Sequence, residues 1–190
     1  MLFRSQRRDQ ILAGEDLKSA AMEYLAEAVD SLIATYCVSE ATDEWDIDGL
    51  VLELRTFWPA TADAGTVAGC VDTDAIYDLV MADASAHYAR REAELGEDVM
   101  RQIERQVMLS IIDQRWREHL DEMDYLQEGI NLRAMGQKDP LTEWQREGYE
   151  MFGQMMSTIA QDFVRYVMHV QVVMEQETVN RVREIGRAHV

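Results

Sequence analysis

The feature that most constrains the fold is a pair of long segments with apolar stripes, separated by one short break near residue 136. Before the break, apolar side chains recur every three or four residues, which is the period of an α-helix. These side chains are Met108, Ile112, Trp116, Leu120, Met123 and Ile130, with Val107 and Ile111 in support. The spacing predicts a helix from about Asp98 to Arg133, roughly 50 Å long at 1.5 Å per residue.

A second long helix is predicted after the break. Asp139 suits the N-cap position and Pro140 the first helical position, so together they indicate a helix start. The apolar side chains that follow are Trp144, Phe152, Met155, Ile159, Phe163, Tyr166 and Val170. Two such helices joined by a short loop bury both stripes only if they pair antiparallel. The sequence therefore predicts a long helical hairpin with a tight, exposed tip.

The rest of the chain is predicted to be helical but more broken, which makes the fold class all-α. Residues 1–38 carry helical periodicity at Leu25, Val29, Leu32, Ile33 and Tyr36. Residues 39–98 hold fifteen acidic and three basic side chains. We expect several short helices in this second region, joined by turns at Pro59, Gly65 and Gly69.

Charge excludes some classes of partner. The net charge of −18 over 190 residues repels phosphate backbones, so binding to nucleic acid is not expected. No apolar run approaches the roughly 20 residues of a membrane span, and the N-terminus has no apolar stretch typical of a secretory signal. Cys37 and Cys70 form no CxxC or zinc spacing, and we expect both to be small buried hydrophobes in a reducing compartment.

No local pattern supports catalysis or metal binding. The phosphate-binding motif G-x-x-x-x-G-K-[ST] is absent, and no Ser/His/Asp group is assembled by local spacing. Glu44, Asp46, Asp48 and Gly49 resemble the start of a calcium loop, but Arg55 takes the place of its strongest ligand. We interpret this run as an acidic turn that caps a helix. His119 is expected beside the helix–helix seam rather than in a catalytic role.

Met135 stands apart from the other methionines. Most of them lie at helical spacing and are expected to fill the core. Met135 lies in the predicted tip with Arg133, Gly136 and Lys138, where there is no core to fill. A flexible apolar side chain there suits transient contact with apolar partners of varied sequence.

Several separated runs of residues resemble the SecA family, the ATP-driven motors of bacterial protein export. The runs are 112–120 (IDQRWREHL), 123–130 (MDYLQEGI), 132–133 (LR), 137–140 (QKDP), 44–50 (EWDIDGL) and 146–152 (REGYEMF). The likeness covers about residues 2–175 in one order and is strongest to actinobacterial members. It implies four parts: residues 1–16 as the end of a long scaffold helix, 17–95 as a helical wing, 96–175 as a two-helix finger, and 176–190 as a tail. Residues 184–190 match a translated sequencing adapter and are expected to carry no function.

The resemblance also implies a role. In SecA the finger enters the cytoplasmic mouth of the SecYEG channel, and its loop touches the unfolded preprotein. The matching contact residues are Leu132, Arg133, Ala134, Met135, Gly136, Gln137 and Lys138. Many relatives carry Tyr where this chain has Met135. The region also restrains the ATPase of the parent motor and works with the remaining SecA domains, in a SecA dimer, at the inner face of the plasma membrane.

The resemblance further implies that this chain is a fragment. The parent motor binds ATP and Mg²⁺ through domains that have no counterpart here, so we expect neither a cofactor nor ATPase activity in this chain alone. The alternative interpretation is a free-standing acidic helical-bundle adaptor that binds a partner helix. A small-molecule enzyme would need a convergent polar site, and we rank it below both.

Overall fold

The computed structural model describes residues 17–39, 41–133 and 139–170, and this part of the chain is all-helical. It contains no strand, six α-helices and one 3-10 turn at Thr42–Glu44. The α-helices are α1 (Leu17–Tyr36), α2 (Ile47–Phe57), α3 (Ala64–Ala68), α4 (Thr73–Leu95), α5 (Glu97–Arg133) and α6 (Pro140–His169). The predicted fold class, including the long pair formed by α5 and α6, is confirmed.

Aspartate side chains begin four of these helices. Each accepts a hydrogen bond from the backbone N–H three residues later, which satisfies a donor that has no partner inside the helix. The capping pairs are Asp46 with Gly49, Asp63 with Thr66, Asp72 with Ala75, and Asp139 with Thr142. The capping interpretation of the calcium-like run is thus confirmed, although α2 begins at Ile47 rather than after Gly49.

One hydrophobic core joins all six helices. The C-terminal half of α6 lies inside it, surrounded by α1, α2, α4 and the first half of α5. Tyr24 of α1 contacts Phe163 of α6, with ring centroids 5.3 Å apart. Cys37 is buried in this core as a free thiol, and burial raises the pKa of that thiol. Cys70 is also a free thiol but is only half-buried, so the expectation of burial is met fully by Cys37 alone.

The prediction of only short helices between residues 39 and 98 is wrong for its second half. Residues 73–95 form one helix of 23 residues, and Gly65 lies within α3 rather than in a turn. The buried positions of α4 are Ile76, Val80, Ala84, His87 and Tyr88, so large aliphatic side chains mark only the first part of its inward face. Alanine is a strong helix former, so helix propensity carries information here that a search for large apolar residues misses.

A single residue, Gly96, separates α4 from α5. Its backbone has φ +86° and ψ 148°, a conformation that residues with a Cβ rarely adopt. A Cβ added at Gly96 would meet no atom within 4 Å, so the preference for glycine comes from the backbone and not from crowding. The direction in which α5 leaves α4 therefore depends on this glycine.

We expect Gly96→Ala to destabilise the chain by about 1–3 kcal/mol because alanine disfavours the backbone conformation at this joint. The matched control is Gly153→Ala, at an exposed position inside α6 where an added Cβ also meets nothing within 4 Å. There alanine should stabilise by about 0.5–1 kcal/mol. Urea unfolding followed by circular dichroism measures both changes. Equal effects at the two positions would show that Gly96 is not conformationally required.

Candidate functional site

The candidate site is the hairpin formed by α5 and α6, and contacts along it show that its helices run antiparallel. Nε and Nη2 of Arg115 donate to Asp162 at 2.8 and 2.6 Å. Further along α5, the ring of His119 lies 6.0 Å from that of Phe152. As the residue number rises along α5 from Arg115 to His119, the residue number of the contacted side chain on α6 falls from Asp162 to Phe152. The end of α5 and the start of α6 therefore lie at the same end of the hairpin.

Close packing continues toward the tip. A Cβ built on Gly148 would lie 3.0 Å from Cε of Met123, so glycine at this position lets the Met123 side chain lie against the backbone of α6. Still nearer the tip, Leu126 and Ile130 are buried although they lie outside the main core. The hairpin thus keeps a small apolar seam of its own beyond the helical core.

The tip is only partly described. Leu132 and Arg133 are the last two residues of α5, and Asp139 caps α6 through Thr142, whose backbone N and Oγ1 donate at 3.1 and 2.6 Å. These hydrogen bonds hold the pKa of the Asp139 carboxyl below its usual range. Residues 134–138, and with them Met135, lie outside the described residues, as do the side chains of Leu132 and Arg133. The contact role of these seven residues stays a prediction.

His119 lies in the seam, as the sequence predicted. It is buried, with the Trp116 ring 5.9 Å away on its own helix and Phe152 on the other side. An imidazole between two aromatic rings contributes mainly packing to this interface. The structure gives it no partner that would indicate a catalytic role.

Two positions of the predicted stripes are wrong. Leu120 is 47% exposed because successive steps of four residues from Met108 rotate by about 40° each around a helix of 3.6 residues per turn. The inward place is taken by His119. Tyr166 is 63% exposed because the buried face of α6 turns toward α1, α2 and α4 at its C-terminal end, where Val164 and Val167 are buried instead.

The base of the hairpin is fixed to the other helices by polar contacts as well as by the core. Arg165 of α6 forms an ion pair with Glu53 of α2 at 2.6 Å, and its guanidinium lies 4.2 Å from the ring centroid of Phe57. On α4, Nε2 of His87 lies 3.3 Å from the Met168 carbonyl oxygen, and Arg91 donates to the Val170 carbonyl. These contacts hold α6 from two sides.

A buried polar cluster spans the joint between α4 and α5. Glu104 of α5 has no exposed surface, and it accepts a hydrogen bond from the Tyr88 hydroxyl of α4. Nε of Arg101 lies 2.9 Å from Oε2 of Glu104, and the same guanidinium donates to Glu92 at 2.7 Å. Lys18 of α1 completes the cluster with an ion pair to Glu92 at 2.7 Å. Three helices are thus tied together beside Gly96.

Burial controls the ionisation of this cluster. Loss of water raises the pKa of the Glu104 carboxyl, and the hydrogen bond from Tyr88 and the charge of Arg101 only partly offset it. The pKa of Tyr88 is raised as well, mainly by burial and then by Glu104. Protonation of Glu104 is therefore easier in the folded chain than in the unfolded one.

Sequence analysis missed this cluster, although one signal for it exists. Glu104 falls between Met100 and Met108 at steps of four residues, so an acidic side chain interrupts a buried apolar stripe. A carboxylate in such a place requires a partner, and Arg101 stands three residues earlier. Tyr88 of α4 reaches Glu104 only because the two helices pack together, so the local spacing of residues does not indicate it.

Two kinds of site are absent from the part of the chain that the structure describes. No group of three or more His, Cys, Asp and Glu side chains there is placed to hold a metal ion. No helix in the same ranges has both the length and the apolar character needed to cross a bilayer.

We expect the variant Glu104→Gln to reveal the raised pKa through the pH dependence of stability. A group whose pKa is higher in the folded state stabilises fully below its unfolded pKa, about 4.3 for Glu, and loses that contribution as pH rises through the folded value. The free energy of unfolding of the unaltered chain, minus that of Glu104→Gln, should therefore fall from pH 4.5 to pH 7. Denaturant titrations at several pH values measure this difference.

The control for that experiment is Glu118→Gln on the same helix. The pKa of Glu118 is lowered by hydrogen bonds from Gln114 and Arg115, so the corresponding difference should rise slightly with pH. A difference for Glu104 that stays level or rises would contradict the raised pKa.

Sequence comparison relates this chain to a described protein family. Residues 5–171 match the family described as the SecA Wing and Scaffold domain. The chain is 43% identical over 176 residues to the protein translocase subunit SecA of Leifsonia xyli subsp. xyli, covering 89% of this chain and 19% of that protein. It is also 43% identical over 177 residues to SecA of Streptomyces griseus subsp. griseus, covering 90% of this chain and 19% of the relative.

A third relative extends the comparison within the same group. SecA of Bifidobacterium longum is 38% identical over 192 aligned residues, which cover 95% of this chain and 20% of the relative. The chain thus spans about a fifth of the length of the curated relatives it matches. Because the family matches most of the length of this chain, the chain belongs to the SecA wing and scaffold domain family.

Proposed function

We propose that this chain acts as the wing and scaffold part of a SecA protein translocase, and that its hairpin couples the motion of the motor to a moving polypeptide. The observation that carries this proposal is the asymmetric anchoring of the hairpin. One end of α5 and α6 is packed into the helical core, whereas Leu126 and Ile130 near the other end are buried outside that core. A pair of helices held at one end transmits motion to the other.

The contacts along the seam support such a role. Arg115 and Asp162, the His119 and Phe152 rings, and the close approach at Gly148 follow one another from base to tip. Bending the hairpin between these points would separate ion-paired and buried groups, which is costly. The hairpin is therefore stiff along this length, and motion of its base is carried to its tip.

The tip would supply the contact with the polypeptide. In this proposal Leu132, Arg133, Ala134, Met135, Gly136, Gln137 and Lys138 touch an unfolded preprotein in the SecYEG channel. Met135 offers an apolar, flexible contact that tolerates different sequences. Arg133 and Lys138 would make the tip cationic on an otherwise acidic chain.

The remaining assignments follow from the family. We assign residues 17–95 to the helical wing, 96–175 to the finger and 1–16 to the end of the scaffold helix. The partners would be SecYEG, the other SecA domains and a second SecA subunit, on the cytoplasmic face of the plasma membrane. ATP and Mg²⁺ would bind to the other domains of the parent motor, whose ATPase this region would restrain until channel and preprotein engage.

A free-standing adaptor is the weaker candidate. It would also use an acidic helical bundle to bind a partner helix. The relatives named above carry this region as about a fifth of a longer chain, which favours a role inside a larger motor.

We expect Met135→Gly in the full-length translocase to slow preprotein translocation several-fold, because partial burial of a methionine side chain is worth about 1 kcal/mol. Basal ATP hydrolysis should change less, since the tip is remote from the base contacts. Translocation into inverted membrane vesicles and phosphate release measure the two rates in parallel.

The control is Met135→Leu, which keeps an apolar side chain of similar size and should translocate at nearly the normal rate. Unchanged translocation by Met135→Gly would remove the tip contact from the proposal. Equal loss of translocation and basal ATPase would indicate a general structural defect instead.

A further inference from the structure

The wing carries a groove that the proposed translocase role does not use. Two adjoining cavities of about 590 and 350 Å³ form it, and both are lined by Thr73 at the start of α4. The first lies between the C-terminal half of α1 and the start of α4. The second lies between the chain after α1 and the loop that precedes α4. The two cavities meet at Thr73, beside the end of α1.

The groove offers apolar surface without a partner among the described residues. Ile33 and Cys37 form part of the floor of the first cavity, and both are buried. Val38 and Val71 flank the second cavity and are 81% and 80% exposed. Single exposed valines are ordinary on protein surfaces, but these two come from different loops and line the same cavity.

The charge around the groove has one sign. Asp30 and Asp74 line the first cavity and Asp72 lines the second, while no described Lys or Arg lines either. Asp30 and Asp74 form no ion pair with any residue that the structure describes. Burial and the carboxylates of Asp30 and Asp78 raise the pKa of Tyr77 at the edge of the groove.

Helix polarity adds to this negative charge. The last turn of α1 contains no basic side chain, so no positive side-chain charge offsets the partial negative charge at its C-terminus, where the backbone N–H of Asp46 donates to the Tyr36 carbonyl. The start of α4 has the opposite polarity, but Asp72 already caps it through the backbone N–H of Ala75. Both the side chains and the backbone of α1 thus favour a cation.

We propose that this groove docks a basic amphipathic helix of a partner protein, with apolar side chains between Val38 and Val71 and Lys or Arg beside Asp30 and Asp74. Phosphate backbones and anionic lipid surfaces carry the wrong charge for such a site. A second copy of this chain also fits poorly, because it carries a net charge of −18. This docking is independent of the contact proposed for the hairpin tip.

Site-specific photocrosslinking in the full-length protein tests the proposal. The crosslinker p-benzoylphenylalanine is placed at Val71, in the groove, or at Leu52, an equally apolar exposed position of α2 (68% exposed) that lines neither cavity. The probe is a synthetic helix with leucine on one face and lysine on the other. Its counterpart with glutamate in place of lysine serves as the charge control. We expect crosslinks from position 71 to the lysine helix only, and few from position 52.

Charge variants complete the test. Asp30→Asn combined with Asp74→Asn should weaken binding of the lysine helix about three- to tenfold, since each partly exposed ion pair contributes up to about 1 kcal/mol. The matched control is Asp121→Asn with Asp124→Asn, two exposed acidic residues of α5 away from the groove, and it should leave binding unchanged.

Three outcomes would overturn the proposal. Equal crosslinking from positions 71 and 52, or none from 71, would show that the groove does not hold the helix. Crosslinks from 71 to another domain of the same protein or to a second copy, with no probe added, would show that the groove is already covered. Equal binding of the lysine and glutamate helices would remove the charge argument.

Discussion

The two halves of α6 have different neighbours, and the architecture depends on this difference. Its C-terminal half is enclosed by α1, α2, α4 and the first half of α5, with Phe163 and Val167 almost fully buried. Its N-terminal half meets mainly α5. A helix buried on most sides at one end and on a single side at the other is fixed in direction by its buried end. The hairpin is therefore an extension of the core and not an appendage on a loop.

Polar groups add to the apolar packing of α5 at its joint with α4. Gly96 permits the backbone conformation between α4 and α5 but does not by itself select one angle between the two helices. The hydrogen bond between Tyr88 and Glu104, with Arg101 beside it, forms only when the two helices have the right relative orientation. A buried carboxylate without these partners would be strongly unfavourable. The cluster thus favours one relative orientation of α4 and α5, at some cost in the stability of the fold.

Much of this could be predicted from the sequence, and the exceptions have physical causes. The hairpin could be predicted from the helical period of its apolar residues and from the Asp139–Pro140 start signal, because both depend only on residues that are close in sequence. The length of α4 could not, since the second half of its inward face carries Ala84, His87 and Tyr88 rather than large aliphatic side chains. The exposure of Leu120 and Tyr166 depends on helix rotation and on neighbours that are distant in sequence. The polar cluster and the wing groove are formed by tertiary packing. The only sequence signal for the polar cluster is Glu104, which interrupts the apolar stripe of α5.

The length of α5 turns small angles into large displacements. Its 37 residues extend about 55 Å from Gly96 at 1.5 Å per residue. By simple geometry, a rotation of about 10° at the joint would carry the far end of such a helix roughly 10 Å sideways, about the diameter of a helix. The placement of the tip is thus only as accurate as the angle at its base. A fully buried carboxylate more than 40 Å from the tip, at the same rise per residue, would then act together with the buried half of α6 in setting the position of the tip.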